Sequence, residues 1–226
     1  MFKLKKYDNY IPIGYNCFTS MLLVNLGLRK SAYPLDWVIS NPIFVLQYFK
    51  TKFENYFLPS PSSETNYMNQ RFDWFKTNRY SNKESDIQYN EKEMLNNVSL
   101  YEENKLLFDR RINRLLELLE TTKDESVLFV YTGEYRVSSA KNESFHKNMV
   151  ENEDMHLKKL FELNEYIKIT YPLLKFDILI IYVNKNNKNE LLFEGDNIIK
   201  VNINIEENID EINRKNITEI LRPLFL

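Results

Sequence analysis

Glycine is scarce in this chain, with four residues among 226. Neither a Gly-x-Gly-x-x-Gly turn nor a Walker phosphate loop occurs, which excludes the glycine-rich nucleotide cradles. Cysteine is scarcer still. A single residue, Cys17, excludes an intramolecular disulfide framework and a cysteine-built zinc site, and it fits a reducing compartment. Histidine occurs twice, as His146 and His156, and no His-Glu-x-x-His helix is present. Neither a metal nor a cofactor is therefore expected. An excess of one charge is lacking too. The formal net charge is -2 and the basic residues are spread along the chain, which argues against a nucleic-acid partner. The longest apolar runs, near 21–24 and 178–183, are too short to span a bilayer, so no membrane partner is expected. The opening Met1-Phe2-Lys3-Leu4-Lys5-Lys6 has no apolar stretch of a signal peptide. The expected location is cytoplasmic. Oligomeric state and substrate stay open.

Apolar and aromatic residues are plentiful. Hydrophobic side chains make up 43% and aromatics 14%, enough for one sizeable, aromatic-rich core. Residues 9–14 read as a short strand ending at Gly14, and residues 18–28 as a helix with Gly27 near its stop. A loop over 31–37 leads to a helix over about 41–54, with Pro42 in its first turn. Residues 58–100 carry prolines, serines and scattered aromatics, and read as an irregular insertion packed by its aromatics. A leucine-striped helix spans 101–121 and a polar loop spans 134–150. Another helix spans 152–170, where Tyr171-Pro172 stops it. The runs 126–132 and 176–183 are almost wholly apolar, as strands buried on both faces must be. Residues 184–189 form a turn, 190–193 a short strand or turn, 198–203 a further strand and 208–221 a last helix. The order predicts a single α/β domain: a mainly parallel, Rossmann-like sheet flanked by helices, interrupted by the 58–100 insertion.

Ligands of open parallel sheets bind beyond the carboxyl ends of the strands. Cys17 follows the first strand, Gly133 to Arg136 follow the 126–132 strand, and His156 opens the next helix, so all share one predicted rim. Unpaired N–H groups at a helix start favour a thiolate and can hold an oxyanion, with Asn16 as a further donor. Gly14 permits close backbone approach. A free cysteine is also a common small core residue, and a buried Cys17 remains the alternative. His156, beside Glu153 and Asp154, is the better placed base; His146 reads as a surface residue. Asp36 is either an orienting carboxylate or a pin for its own loop, and Trp37 is expected beside the Cys17 loop. Arg110, Arg111 and Arg114 read as a solvated helix face, although Arg111 and Arg136 are able to bind an anion.

Residues 11–40, IPIGYNCFTSMLLVNLGLRKSAYPLDWVIS, resemble the opening of an uncharacterised bacterial and viral family described as papain-like cysteine peptidases. The matching positions are Gly14, Asn16, Cys17, Leu28, Arg29, Pro34, Leu35, Asp36 and Trp37. A looser second block places Arg110, Arg111 and Arg114 ahead of the Val127–Tyr131 strand. The resemblance implies a cysteine nucleophile assisted by histidine. One departure concerns that base. Members carry a His-Asp-Phe-like segment before the Arg-rich helix, whereas residues 60–100 here hold no histidine, the nearest echo being Phe72-Asp73-Trp74. The sheet-rich run of elements after residue 126 also fits a Rossmann-like layer better than papain's helix and barrel.

The function expected on these grounds is a thiol-dependent hydrolase or transferase. Cys17 would attack, His156 would act as base and Asp36 would orient, while Gly14, Asn16 and Arg136 would contact the substrate. Two alternatives stand beside it. One is a non-catalytic binding or scaffold protein. The other is an enzyme of surface-glycan biosynthesis that holds an anionic sugar donor.

Overall fold

The computed structural model describes residues 3–14, 17–37, 42–54, 98–121, 124–133, 153–184, 190–193, 196–204 and 214–226. The insertion predicted at 58–100 lies outside these residues up to 97, and its last three residues, 98–100, open a helix instead. The loop at 134–150, residues 185–189 of the turn predicted at 184–189, and residues 208–213 of the last helix also lie outside, while Asn184 ends a strand.

Strands β1 (Asn9–Pro12), β2 (Ser126–Thr132), β3 (Lys175–Asn184), β4 (Glu190–Phe193) and β5 (Ile198–Asn204) form one sheet in the order β1-β2-β3-β5-β4. β1, β2, β3 and β5 run parallel, and β4 pairs antiparallel on β5 at the edge. The helices are α1 (Cys17–Asn25), α2 (Pro42–Lys50), α3 (Val98–Thr121), α4 (Glu153–Thr170) and α5 (Arg214–Phe225). The mainly parallel sheet flanked by helices is thus the one the apolar runs predict.

The alternation of side chains along the strands splits the core in two. On one face Val127, Phe129 and Tyr131 of β2 meet α2, α3 and α4 through Phe49, Leu115, Leu160 and Leu163. On the other face Leu128 and Val130 meet α1 and α5 through Leu22, Leu23, Leu221 and Leu224. Chain geometry explains this allocation. The steps β1 to β2 and β2 to β3 move in the same direction along the sheet, and right-handed crossovers made in one direction fall on one face. α5 follows the last strand and joins no such pair, whereas α1 opens the β1–β2 connection on the opposite face, and the chain crosses to the other side after it.

Local chemistry sets the ends of these elements. α1 closes in a Schellman motif. Gly27 adopts φ 69°, its N–H reaches the Val24 carbonyl at 2.9 Å, and the Leu28 N–H reaches the Leu23 carbonyl at 2.9 Å. The chain then passes from the α1 face to the other, where Tyr33 and Leu35 are buried. Edge strand β1 is buried along its whole length, and it carries Pro12, whose missing N–H suits an edge position. The last helix runs to Phe225, past the predicted end at residue 221. Pro223 lies in its final turn and removes one N–H of the helical ladder there, while burial of Leu224 and Phe225 keeps the helix going.

Candidate functional site

Cys17 is the first residue of α1, and His156 lies in the first turn of α4. Both helix starts lie at the carboxyl edge of the parallel strands, as the βα order requires. They approach it from opposite sides. Leu22, Leu23 and Leu26 of α1 lie in one core, whereas Leu160, Leu163 and Ile167 of α4 lie in the other. Asn16, Arg136 and His146 lie outside the described residues.

The floor of this edge is built from two strand ends and the first turn of α1. The Ile13 N–H continues the ladder to the Val130 carbonyl at 2.9 Å. Gly14 follows with no room for a side chain: a Cβ there would collide with the Thr19 hydroxyl and come within 3.2 Å of the Thr132 nitrogen. The Thr19 and Thr132 hydroxyls share a hydrogen bond of 2.6 Å, and both residues are buried. Gly133 repeats the device at the end of β2. Its N–H donates to the Ile181 carbonyl at 2.8 Å, and the Tyr182 ring occupies the place of a Cβ. The close approach expected at Gly14 is therefore made by the chain's own Thr19.

His156 is only 6% exposed. Burial lowers its pKa from the ordinary value. The imidazole is thereby held in its neutral form near neutral pH.

Asp36 is completely buried and its carboxylate is heavily engaged. Oδ2 accepts the Tyr33 N–H at 2.6 Å, Oδ1 stands 3.0 Å from Arg29 Nε, and the Ser20 hydroxyl donates to the same carboxylate. Desolvation raises its pKa, opposed by Arg29, the Tyr33 N–H, Arg111 and Ser20. Ser20 also accepts the Trp37 N–H at 2.9 Å. Trp37 is half-buried and holds φ 63°, a left-handed backbone seldom adopted by a bulky residue. Arg114 donates to the Ala32 carbonyl at 2.6 Å, and the Arg111 guanidinium lies 5.4 Å from the Phe108 ring. Of the arginines predicted to face solvent, Arg114 thus holds the 29–37 loop, and Arg111 lies over Phe108 with its charge acting on Asp36. The structure brings Asp36 and Trp37 to α1, one turn beyond Cys17.

The residues that sequence alone did not single out are Thr19, Ser20 and Thr132. Gly14 and Gly133 were the available signal, since a glycine ending each of two strands marks close packing at that edge. Arg110 and Arg114 also line an open groove of about 510 Å³ on α3, where Asp109 and Glu117 balance their charge. Among the described residues, no group of three or more His, Cys, Asp or Glu is placed to hold a metal ion. No helix of these residues is long and apolar enough to cross a membrane.

Residues 8–186 match the model of the family described as "Putative papain-like cysteine peptidase (DUF1796)". The chain belongs to that family. The matched stretch runs from just before β1 to just after β3, and so includes Cys17, the 29–37 loop, the α3 arginines and His156. Comparisons with curated proteins and with solved structures return no match.

Proposed function

We propose that this protein is a thiol-dependent hydrolase or transferase with Cys17 as its nucleophile. The observation that carries the proposal is positional. Cys17 opens α1 directly beyond β1, at the carboxyl edge of a parallel sheet, in a chain whose family is named for cysteine peptidases. Helix N–H groups without carbonyl partners favour thiolate there and offer donors to a developing oxyanion. Attack by sulfur on an acyl carbon forms a thioester and expels the leaving group, which takes up a proton. Water then releases the acid in a hydrolase, or a second nucleophile accepts the acyl group in a transferase. His156 is the proposed base, since burial keeps its imidazole free of a proton. Asp36 supports the site from beneath, through Ser20 of α1. Asn16 and Arg136 are proposed substrate contacts.

A non-catalytic binding role has one specific observation in its favour. α1, which carries Cys17, and α4, which carries His156, flank opposite faces of the sheet. Incubation with p-nitrophenyl acetate separates the two readings. An acyl adduct on Cys17, seen by intact mass, absent from Cys17→Ala and slower to decay in His156→Gln, is the expected result. No adduct, together with iodoacetamide labelling no faster than that of a free thiol, would establish the binding role.

A further inference from the structure

Helix α1 is gripped at two successive side chains. Thr19 reaches sideways to Thr132 at the end of β2, with 2.6 Å between the hydroxyl oxygens. Ser20, the next residue, accepts the Trp37 N–H at 2.9 Å and donates to Asp36 in the 29–37 loop. Successive helix residues project about 100° apart, so the two bonds pull on different sides of the axis. Core packing of Phe18, Leu22, Leu23 and Leu26 sets which face of the helix is buried, and two ties on separate walls fix its rotation more finely at the first turn. Both walls are themselves fixed. Thr132 ends a central strand, and Asp36 is held by Tyr33 and Arg29. Thr19, Ser20 and Thr132 are all 2% exposed or less, so none of these hydroxyls has water as a ready substitute partner. A helical Ser or Thr often bonds the carbonyl four residues back. Both Thr19 and Ser20 bond across to other elements.

We propose that this two-point grip sets the rotational register of α1, making Thr19, Ser20 and Thr132 positioning residues that aim Cys17 and the leading N–H groups of the helix. The inference rests on the reading of Cys17 as the reactive thiol. Helix N–H groups stabilise a thiolate only while they point at it, and a first turn that rolls or frays directs them elsewhere. The test is the pH profile of iodoacetamide labelling at Cys17, alongside thermal melts of each variant. Thr19→Ala/Thr132→Ala removes both hydroxyls together, leaves no orphan donor in the core and puts no methyl group where the oxygens stand 2.6 Å apart, and its thermal melt checks that it folds. Ser20→Ala cuts the other tie. In each, the labelling midpoint should rise by about half a pH unit or more, with labelling at neutral pH slowed about threefold. Thr19→Ser and Ser20→Thr keep the hydroxyl and should restore the wild-type profile. A wild-type midpoint well below that of a free thiol, unchanged in the double variant and in Ser20→Ala, would overturn the grip and leave the nucleophile reading intact. A wild-type midpoint equal to that of a free thiol would overturn both.

Discussion

Asp36 places a charge where the fold gives it no water. A lone buried carboxylate would be severely penalised, and the chain offsets this with Arg29, the Tyr33 N–H and Ser20. Removing the carboxylate leaves three donors reaching into an empty space. Asp36→Ala should therefore cost about 2–4 kcal/mol, less than a fully sealed pair because Arg29 keeps one fifth of its side chain in water. Asp36→Asn should cost less, since its amide oxygen still accepts the Tyr33 N–H. Urea unfolding of the two variants measures the difference, and equal stabilities for Asp36→Ala and wild type would remove Asp36 as the organiser of the loop. The sequence placed Asp36 near the Cys17 loop through Pro34-Leu35-Asp36-Trp37. It left open whether the carboxylate orients an imidazole or pins the loop, because both roles need the same residue type. The contacts with Tyr33, Arg29 and Ser20 describe a pin.

The periodic patterns were enough to locate most elements. The apolar runs of β2 and β3 admitted little else than strands buried on both faces, and both cores confirm it. The last helix was less legible. The sequence reading ends it at residue 221, yet the helix continues to Phe225. Tertiary burial carries it further: the Phe225 ring lies 6.4 Å from that of Tyr10, and the Leu224 carbonyl accepts the Leu4 N–H at 2.8 Å. Phe225→Ala should accordingly lower stability by about 3–5 kcal/mol in denaturant unfolding. A loss below about 0.5 kcal/mol would place the helix end at the surface. The arginines of α3 misled for the opposite reason. Their spacing fits a solvated stripe, and only the return of the 29–37 loop supplies the Ala32 carbonyl that Arg114 meets.

At the scale of the whole molecule, buried His156 and buried Asp36 act in opposite directions with pH. His156 is held below its ordinary value of 6.5 by burial. Between the lowered value and 6.5 the unfolded chain takes a proton that the folded chain refuses. Its contribution to stability is therefore intact above 6.5 and is lost as pH falls below it. Asp36 is raised above 3.8, so its contribution is present below 3.8 and is lost as pH rises through the folded value. Stability measured by urea unfolding should fall between about pH 7.5 and about pH 5.5, and His156→Leu should lessen that fall. An identical slope in the variant would exclude His156 as a source of acid sensitivity. Sequence alone determined the α/β class, the parallel strands and the placing of Cys17 at a helix start, because each follows from local periodicity and chain order. Only the tertiary structure decided which face each helix covers and which side chains hold α1. Thr19 and Thr132 stand 113 residues apart, and no local pattern encodes a hydrogen bond formed when two distant segments meet at one sheet edge.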